Sequence, residues 1–168
     1  MKYLRICISV FVWLSMFLQA GAQNDTSKAF VKISGEVTKP LTLSLDDLAT
    51  MKHSTVMVKG RDGKEHSYSG IPVQRLLELA GVTTGNDLRG ENLAKYLLVK
   101  CADGYEIVFS LAEIDNSFTD RIALLADAYE DKPIAGEKGP FQLAVPGEKK
   151  PARSCFQVTE LIIKFAKG

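Results

Sequence analysis

Alternating apolar and polar positions predict the first regular elements of the chain. In FVKISGEV, which begins at Phe30, every second residue is apolar over six positions, as in a strand with one buried face. LTLSLDDLATM then predicts a short strand followed by a helix of one or two turns. Ser44 suits the N-cap, and Asp46 and Asp47 would lie in the first turn, where carboxylates interact favourably with the helix dipole.

Two β-hairpins are indicated in the middle of the chain. The first joins STVMVKG to EHSYSG through RDGK, and the second joins KYLLVKCA to YEIVFS through Asp-Gly at 103–104. Asp-Gly between two apolar runs favours a two-residue loop, because a primed turn needs positive φ at both central residues. Such a loop predicts that Cys101 faces Glu106 and that Val99 faces Val108.

The stretch GIPVQRLLELAGV, between the hairpins, predicts a helix. Pro72 fits the first helical position and Gly81 the left-handed C-cap. Apolar residues recur at i, i+3, i+4 and i+7, namely Val73, Leu76, Leu77 and Ala80. This apolar stripe should pack on a sheet, and SLAEID predicts a second capped helical turn.

The C-terminal part of the chain predicts two further strands after a turn-rich segment. FQLAV has the length of a short strand, and CFQVTELIIKF alternates before becoming solidly apolar, as a central or closing strand does. Predicted strands outnumber predicted helices. The pattern therefore favours the α+β class, with a mixed β-sheet and short flanking helices.

The N-terminal residues are typical of a secretory signal peptide. Residues 1–22 contain Lys2 and Arg5, then a run of 13 mostly apolar residues, and then the small-residue ending Ala20-Gly21-Ala22. An uncleaved membrane anchor is the alternative, but crossing a bilayer takes about 20 apolar residues. The prediction is a signal peptide at 1–22, a flexible leader at 23–28 and a single domain at 29–168. The mature protein would be periplasmic or secreted, without membrane attachment.

Charge and cysteine content limit the classes of partner and of cysteine chemistry that the sequence allows. Removing Lys2 and Arg5 with the signal leaves 19 Lys and Arg against 20 Asp and Glu, which argues against a nucleic-acid partner. Two cysteines would remain, Cys101 and Cys155. In an oxidising compartment they could form one disulfide, while two buried free thiols are the competing interpretation.

Motifs for several common chemistries are missing from the sequence. His53 and His66 lie far apart and have no further ligand at metal spacing, so no metal site is predicted. The chain has no nucleophile elbow, no phosphate-binding P-loop and no dinucleotide fingerprint. Tyr105 could place a phenol at the mouth of a pocket, although turn chemistry explains Asp-Gly-Tyr more simply. No catalytic residue is assigned.

The stretch GPFQLAVPGEKKPARSC is the remaining candidate for a binding site. A strand that ends at Pro-Gly can expose successive backbone N–H groups, and three cations follow the turn: Lys149, Lys150 and Arg153. Such a turn could bind a phosphate or another oxyanion. Glu148 lies within the same cluster, however, and lysines are common on solvated hairpin ends, so residue chemistry alone favours a solvated turn over an anion site.

The order of several motifs resembles the oxidoreductase molybdopterin-binding domain, the central domain of the sulfite oxidase family. The motifs are YSGIPVQRLLELAGV, then CADGYEIVFSLAEI, then LLADAYEDKPIAGEKGPFQLAVPGEKKPARSCFQVTELII. Together they cover about Val31 to Phe165. The resemblance implies a mixed β-sheet fold in which a pterin-bound molybdenum is held by a cysteine thiolate and basic residues bind the pterin phosphate.

The resemblance places Lys149, Lys150 and Arg153 in the segment that supplies phosphate contacts in the family. The candidate residues for molybdopterin or another small anionic ligand are therefore Gly147, Lys149, Lys150 and Arg153 of the Pro-Gly turn, together with Tyr105 of the separate Asp-Gly-Tyr loop. The segment that carries the metal-binding cysteine in the family corresponds here to VMVKGRDGKEHSYSG, which contains no cysteine. Gln142 also stands where the enzymes tend to have arginine, which removes a bidentate donor.

Three functions remain open from the sequence. The chain could be an exported molybdopterin-dependent oxidoreductase without the usual thiolate ligand, as the resemblance implies. It could instead be a cofactor-free module that binds an anion or a partner on the same fold, as the missing cysteine indicates. A redox-active Cys101–Cys155 pair ranks last, because there is no Cys-x-x-Cys motif and no helix N-terminus beside either thiol.

Overall fold

The computed structural model of the chain describes residues 29–166. The signal peptide and leader predicted for residues 1–28 lie outside this range, so their assignment stays a prediction. No helix between residues 29 and 166 combines the length and the apolar character needed to span a membrane.

The described residues form ten strands and two short α-helices, with several single turns of 3₁₀ helix between them. The strands are β1 (Phe30–Gly35), β2 (Leu41–Ser44), β3 (Ser54–Lys59), β4 (Glu65–Pro72), β5 (Lys95–Cys101), β6 (Glu106–Ser110), β7 (Leu124–Tyr129), β8 (Lys132–Pro133), β9 (Gln142–Ala144) and β10 (Val158–Phe165). The helices are α1 (Leu45–Ala49) and α2 (Val73–Leu79). Mixed sheets with few short helices confirm the predicted α+β class.

The strands are divided between two five-stranded sheets. Sheet A has the order β2-β1-β10-β5-β6, and sheet B has the order β3-β4-β7-β8 with β9 also paired to β7. The only parallel pair among these strands joins β1 to β10, at the register Ile33–Leu161. Strand β10, the apolar run at the end of the chain, lies between β1 and β5 and is the central strand of sheet A. A central strand is buried by its neighbours, which explains its apolar sequence.

The second hairpin differs from its predicted register by one residue. Lys100, not Cys101, pairs with Glu106, and Leu98 pairs with Val108. The Cys101 N–H donates to the Tyr105 carbonyl over 3.0 Å, so the loop has three residues instead of two. The physical reason is Gly104, which has a φ of +85° and forms the bulge that such loops carry at their last position.

Helix α2 follows its predicted apolar pattern. Val73, Leu76 and Ala80 have no exposed surface, and Leu77 has 1%. Pro72 was predicted as the first helical residue, but it is the N-cap and the last residue of β4, and the helix begins one position later at Val73. Gly81 has the predicted positive φ. The other predicted caps are also present as capping boxes, Ser44 with Asp47 before α1 and Ser110 with Glu113 at the SLAEID turn.

One apolar core joins the two sheets. It contains residues of sheet A such as Ile33 and Leu161, residues of sheet B such as Ile71 and Leu125, and the buried face of α2. A smaller cluster lies under sheet B around Val58, Leu124 and Ile134. The smaller cluster matters for the site because Val58 and Ile134 also line a cavity.

Gly70 fixes the approach of β4 to β7. A Cβ atom at this position would overlap the backbone of Leu125 and Ala126 in the neighbouring strand. The pairing also shifts register between Ser69 and Gly70, where Asp127 is the extra residue of β7. A glycine inside a strand often marks such a close backbone approach, and this explains the glycine of the YSGIP motif.

Replacing Gly70 by alanine should therefore force β4 and β7 apart. We expect Gly70→Ala to lower the free energy of unfolding by about 1–3 kcal/mol, the usual range for overpacking. Ser67→Ala, in the same strand, is the matched control and should stay within about 0.5 kcal/mol of the wild type. Chemical denaturation followed by circular dichroism measures both, and equal stability of the two variants would contradict the account of Gly70.

Candidate functional site

A cavity of about 440 Å³ opens between the β3–β4 hairpin, β7 and the segment that precedes β10. Its walls come from three separate parts of the chain. The lining residues are Val58, Lys59, Gly60, Arg61, Asp62, His66, Tyr68, Tyr129, Ile134, Ala135, Lys138, Gln142, Pro151, Ser154 and Phe156. This volume lies within the range of about 300–1,000 Å³ that is usual for small-molecule sites.

Three cations and one carboxylate line this cavity. The cations are Lys59 at the end of β3, Arg61 in the β3–β4 turn and Lys138 before β9, and the carboxylate is Asp62. Neither Lys59 nor Arg61 forms an ion pair or side-chain hydrogen bond with another residue between 29 and 166. Lys138 lies 5.5 Å from the centroid of the Phe156 ring. The cavity therefore carries unneutralised positive charge beside an aromatic surface.

His66 connects a carboxylate to a phenol in the cavity wall. Its Nε2 lies 3.2 Å from both Asp62 oxygens, and its Nδ1 lies 2.7 Å from the Tyr129 hydroxyl. An ionised carboxylate can only accept, so Nε2 carries the proton and Nδ1 accepts the hydrogen bond of Tyr129. Glu130 lies farther from Nδ1, at 3.4 Å. Donation from the Lys64 N–H, and then from His66, holds the pKa of Asp62 below its usual value.

Two tyrosines form the aromatic wall. The rings of Tyr68 and Tyr129 meet edge to face with centroids 5.1 Å apart, and the Gln142 side-chain amide donates to the Tyr68 hydroxyl over 3.3 Å. Burial raises the pKa of both phenols. Both hydroxyls therefore remain protonated at neutral pH and can act as neutral hydrogen-bond partners.

The described residues contain no cluster of three or more His, Cys, Asp or Glu side chains that could hold a metal ion. Both cysteines in this range are free, buried thiols. Neither lines the cavity, although Cys155 lies between two lining residues, Ser154 and Phe156. The donor set of the cavity thus suits an anionic aromatic ligand and supplies no thiolate to a metal.

The Pro146–Arg153 turn is arranged differently from the predicted anion site. Arg153 donates from Nε and from one terminal nitrogen to Glu148, and from the other terminal nitrogen to Glu113 over 2.9 Å. Its guanidinium also lies 4.4 Å from the Phe109 ring centroid. Arg121 is the second cation on Glu148, at 3.1 Å. The charge of Arg153 is therefore neutralised within the protein.

The other residues predicted for this site are spread around the turn. Lys149 and Lys150 are exposed and form no ion pair with another described residue. Gly147 has a φ of +73° and borders a second, more open cavity. The Tyr105 hydroxyl donates to the Ala152 carbonyl over 3.0 Å, which supports the backbone of the turn. The structure does not gather these residues around one cavity, and their binding role stays a prediction.

Sequence reasoning did not select the residues that line the cavity. His66 was considered only as a metal ligand and was set aside, and Lys59 and Lys138 gave no signal because 79 positions separate them in the chain. Tyr68 lies in the YSG motif and Tyr129 in LLADAYEDKP, so the motif order contained the aromatic wall. Only the pairing of β4 with β7, which places Tyr68 opposite Tyr129, brings the two rings together.

Comparison with known proteins agrees with this fold and with the predicted resemblance. The model of the family described as "Oxidoreductase molybdopterin binding domain" matches residues 19–153. Among solved structures, the chain is similar to the sulfane dehydrogenase SoxCD from Paracoccus pantotrophus, with a TM-score of 0.65 and 22% identity. The match covers 85% of this chain but 40% of that one, and at this identity it establishes the fold alone. No curated protein matches the chain. The chain belongs to the oxidoreductase molybdopterin-binding domain family.

Proposed function

We propose that the chain is an exported, oxidoreductase-like protein that binds molybdopterin in the cavity between β3, β7 and the segment before β10. One observation carries this proposal. Three stretches that carry the resemblance to the family, VMVKGRDGKEHSYSG, LLADAYEDKP and GEKKPARSC, supply Gly60, Tyr129 and Ser154 in that order to a single cavity. The export part rests on the pattern of residues 1–22 alone.

Each part of the cavity suits a part of this cofactor. Lys59, Arg61 and Lys138 offer charge-assisted hydrogen bonds to a phosphate, which are roughly twice as strong as neutral ones. The rings of Tyr68 and Tyr129 offer a flat apolar surface to a pterin ring. Their hydroxyls and the Gln142 amide offer neutral hydrogen-bond partners. When bound, molybdopterin supplies the redox-active metal, and the residues of this chain bind and orient the pterin.

The metal would lack a protein thiolate in this proposal. The stretch VMVKGRDGKEHSYSG contains no cysteine, and Val58, Lys59 and Gly60 of that stretch line the cavity. Lysine and valine cannot replace a soft thiolate as a ligand of molybdenum.

The same observation favours a second candidate function, a cofactor-free module that binds an anion or a partner. Such a module would retain the cations of the cavity and perform no redox chemistry. A shared fold does not decide between the two functions, because functions differ within one fold.

Inorganic phosphate tests the cavity itself. We expect phosphate, titrated at constant ionic strength, to raise the melting temperature of the wild type. The double variant Lys59→Gln/Arg61→Gln should bind phosphate at least about tenfold more weakly, because it loses two charged donors worth about 1.5–3 kcal/mol each. The double variant Lys149→Gln/Lys150→Gln removes the same number of charges from the exposed turn and is the matched control. Weak binding by this control together with normal binding by Lys59→Gln/Arg61→Gln would move the site to the turn.

Arg153 should contribute to the stability of the fold and not to phosphate binding. We expect Arg153→Met to lower the free energy of unfolding by about 2 kcal/mol, since it removes charged hydrogen bonds and leaves Glu113 beside Glu148. Lys150→Met, which removes an exposed lysine, should change this free energy by less than about 0.5 kcal/mol. Denaturant unfolding measures both. Unchanged stability of Arg153→Met with loss of phosphate binding would restore the predicted role of Arg153 in anion binding.

Molybdenum content separates the two candidate functions. Protein isolated from a host that makes and exports the cofactor should contain about one molybdenum per chain by elemental analysis and release a fluorescent pterin in acid. The molybdenum content and the released pterin should stay unchanged in Cys101→Ala and in Cys155→Ala, because the cavity lining includes neither cysteine. Absence of pterin would favour the cofactor-free module, and loss of molybdenum with retained pterin in a cysteine variant would indicate a thiolate ligand.

A further inference from the structure

Cys101 and Cys155 meet across the junction of the two sheets. Cys101 is the last residue of β5 in sheet A, and the Cys155 carbonyl accepts a hydrogen bond of 2.8 Å from the Leu143 N–H of β9 in sheet B. Their thiols hydrogen-bond to each other, and their exposed fractions are 6% and 5%. Two cysteines that are 54 positions apart in the sequence thus share one buried contact.

The backbone holds both cysteines in place. Cys101 pairs with Val158 of β10, and the Ala102 N–H donates to the Gln157 carbonyl over 3.0 Å. On the other side, the Val145 N–H donates to the Ser154 hydroxyl over 3.1 Å, directly before Cys155. The hydrogen bonds of β5, β9 and β10 therefore set the backbone positions of both cysteines.

We propose that Cys101 and Cys155 form a structural disulfide that links sheet A to sheet B when the protein meets a disulfide oxidant. The oxidant is a disulfide, either oxidised glutathione or the active-site disulfide of a thiol oxidase. The proposal does not depend on the function assigned to the cavity.

The exchange balances in two steps. A thiolate of Cys101 attacks the oxidant disulfide, forms a mixed disulfide and releases one thiolate of the oxidant. The Cys155 thiolate then attacks the Cys101 sulfur, which forms the Cys101–Cys155 bond and releases the second thiolate. The two protons lost by the cysteines pass to the two released thiolates. Two electrons leave the cysteine pair and reduce the oxidant to two thiols.

Because both cysteines are buried, we expect this bond to have a structural role and not a catalytic one. Desolvation raises the pKa of both thiols, more strongly at Cys155, and the hydrogen bond from Cys155 partly offsets the effect at Cys101. Reactive cysteines have lowered pKa values and partial exposure. Once formed, the bond would be shielded from reductants and would fix the wall that carries Ser154 and Phe156 beside the cavity.

Refolding in a glutathione redox buffer tests the bond without requiring access to the folded interior. The full chain is unfolded, reduced, refolded with oxidised and reduced glutathione, alkylated in denaturant and digested without reduction. Mass spectrometry should find the Cys101 peptide linked to the Cys155 peptide, with Cys7 outside this link. Separate alkylated or glutathionylated peptides of Cys101 and Cys155 would overturn the proposal.

A stability measurement distinguishes a native bond from an accidental one. A link that closes a loop of this length should raise the melting temperature of the oxidised form by about 10 °C over the reduced form. Cys155→Ala and Cys101→Ala should melt at the same temperature in oxidising and reducing buffer. An oxidised wild type that melts at or below the temperature of the reduced form would show that the bond does not fit the native fold.

Discussion

Two backbone hydrogen bonds join the sheets at the point on which the cavity depends. The Leu143 N–H donates to the Cys155 carbonyl over 2.8 Å, and the Val158 N–H donates to the Phe141 carbonyl over 2.9 Å. They hold the chain as it leaves β9 in sheet B and returns into β10, the central strand of sheet A. Because Ser154 and Phe156 lie on this return, one wall of the cavity is set by the same bonds that connect the sheets.

Pairing of charges decides which cations remain available to a ligand. Arg153 and Arg121 share Glu148, and Arg153 also binds Glu113, so these guanidinium groups stabilise the turn after β9. Lys59 and Arg61 have no such partner among residues 29–166 and line the cavity. A cluster of cations in sequence is therefore a poor guide to an anion site unless the neighbouring carboxylates are also placed.

Local physical rules predicted much of the fold. The capping boxes at Ser44 and Ser110, the apolar stripe of α2 and the strands β1, β9 and β10 follow from patterns within a few residues. The register of the β5–β6 hairpin was wrong by one residue, because Asp-Gly also fits a three-residue loop in which only Gly104 has positive φ. The local sequence fits both loops and does not decide between them.

The site was harder to predict because its parts are distant in the chain. Glu113 neutralises Arg153 from 40 positions away, and Lys138 reaches the same cavity as Lys59. Residue chemistry alone favoured the compact cluster Lys149, Lys150 and Arg153, since it could not place the partners of Arg153. The family motifs carried more information, because their order already contained Tyr68 and Tyr129.

A crystal structure of the chain soaked in inorganic phosphate tests the central claim most directly, namely that the unpaired cations of the cavity form the anion site. We expect phosphate density in contact with Lys59, Arg61 or Lys138, with Arg153 still bound to its two carboxylates. Density on the turn, with Arg153 turned away from Glu148 and Glu113 toward the anion, would contradict it.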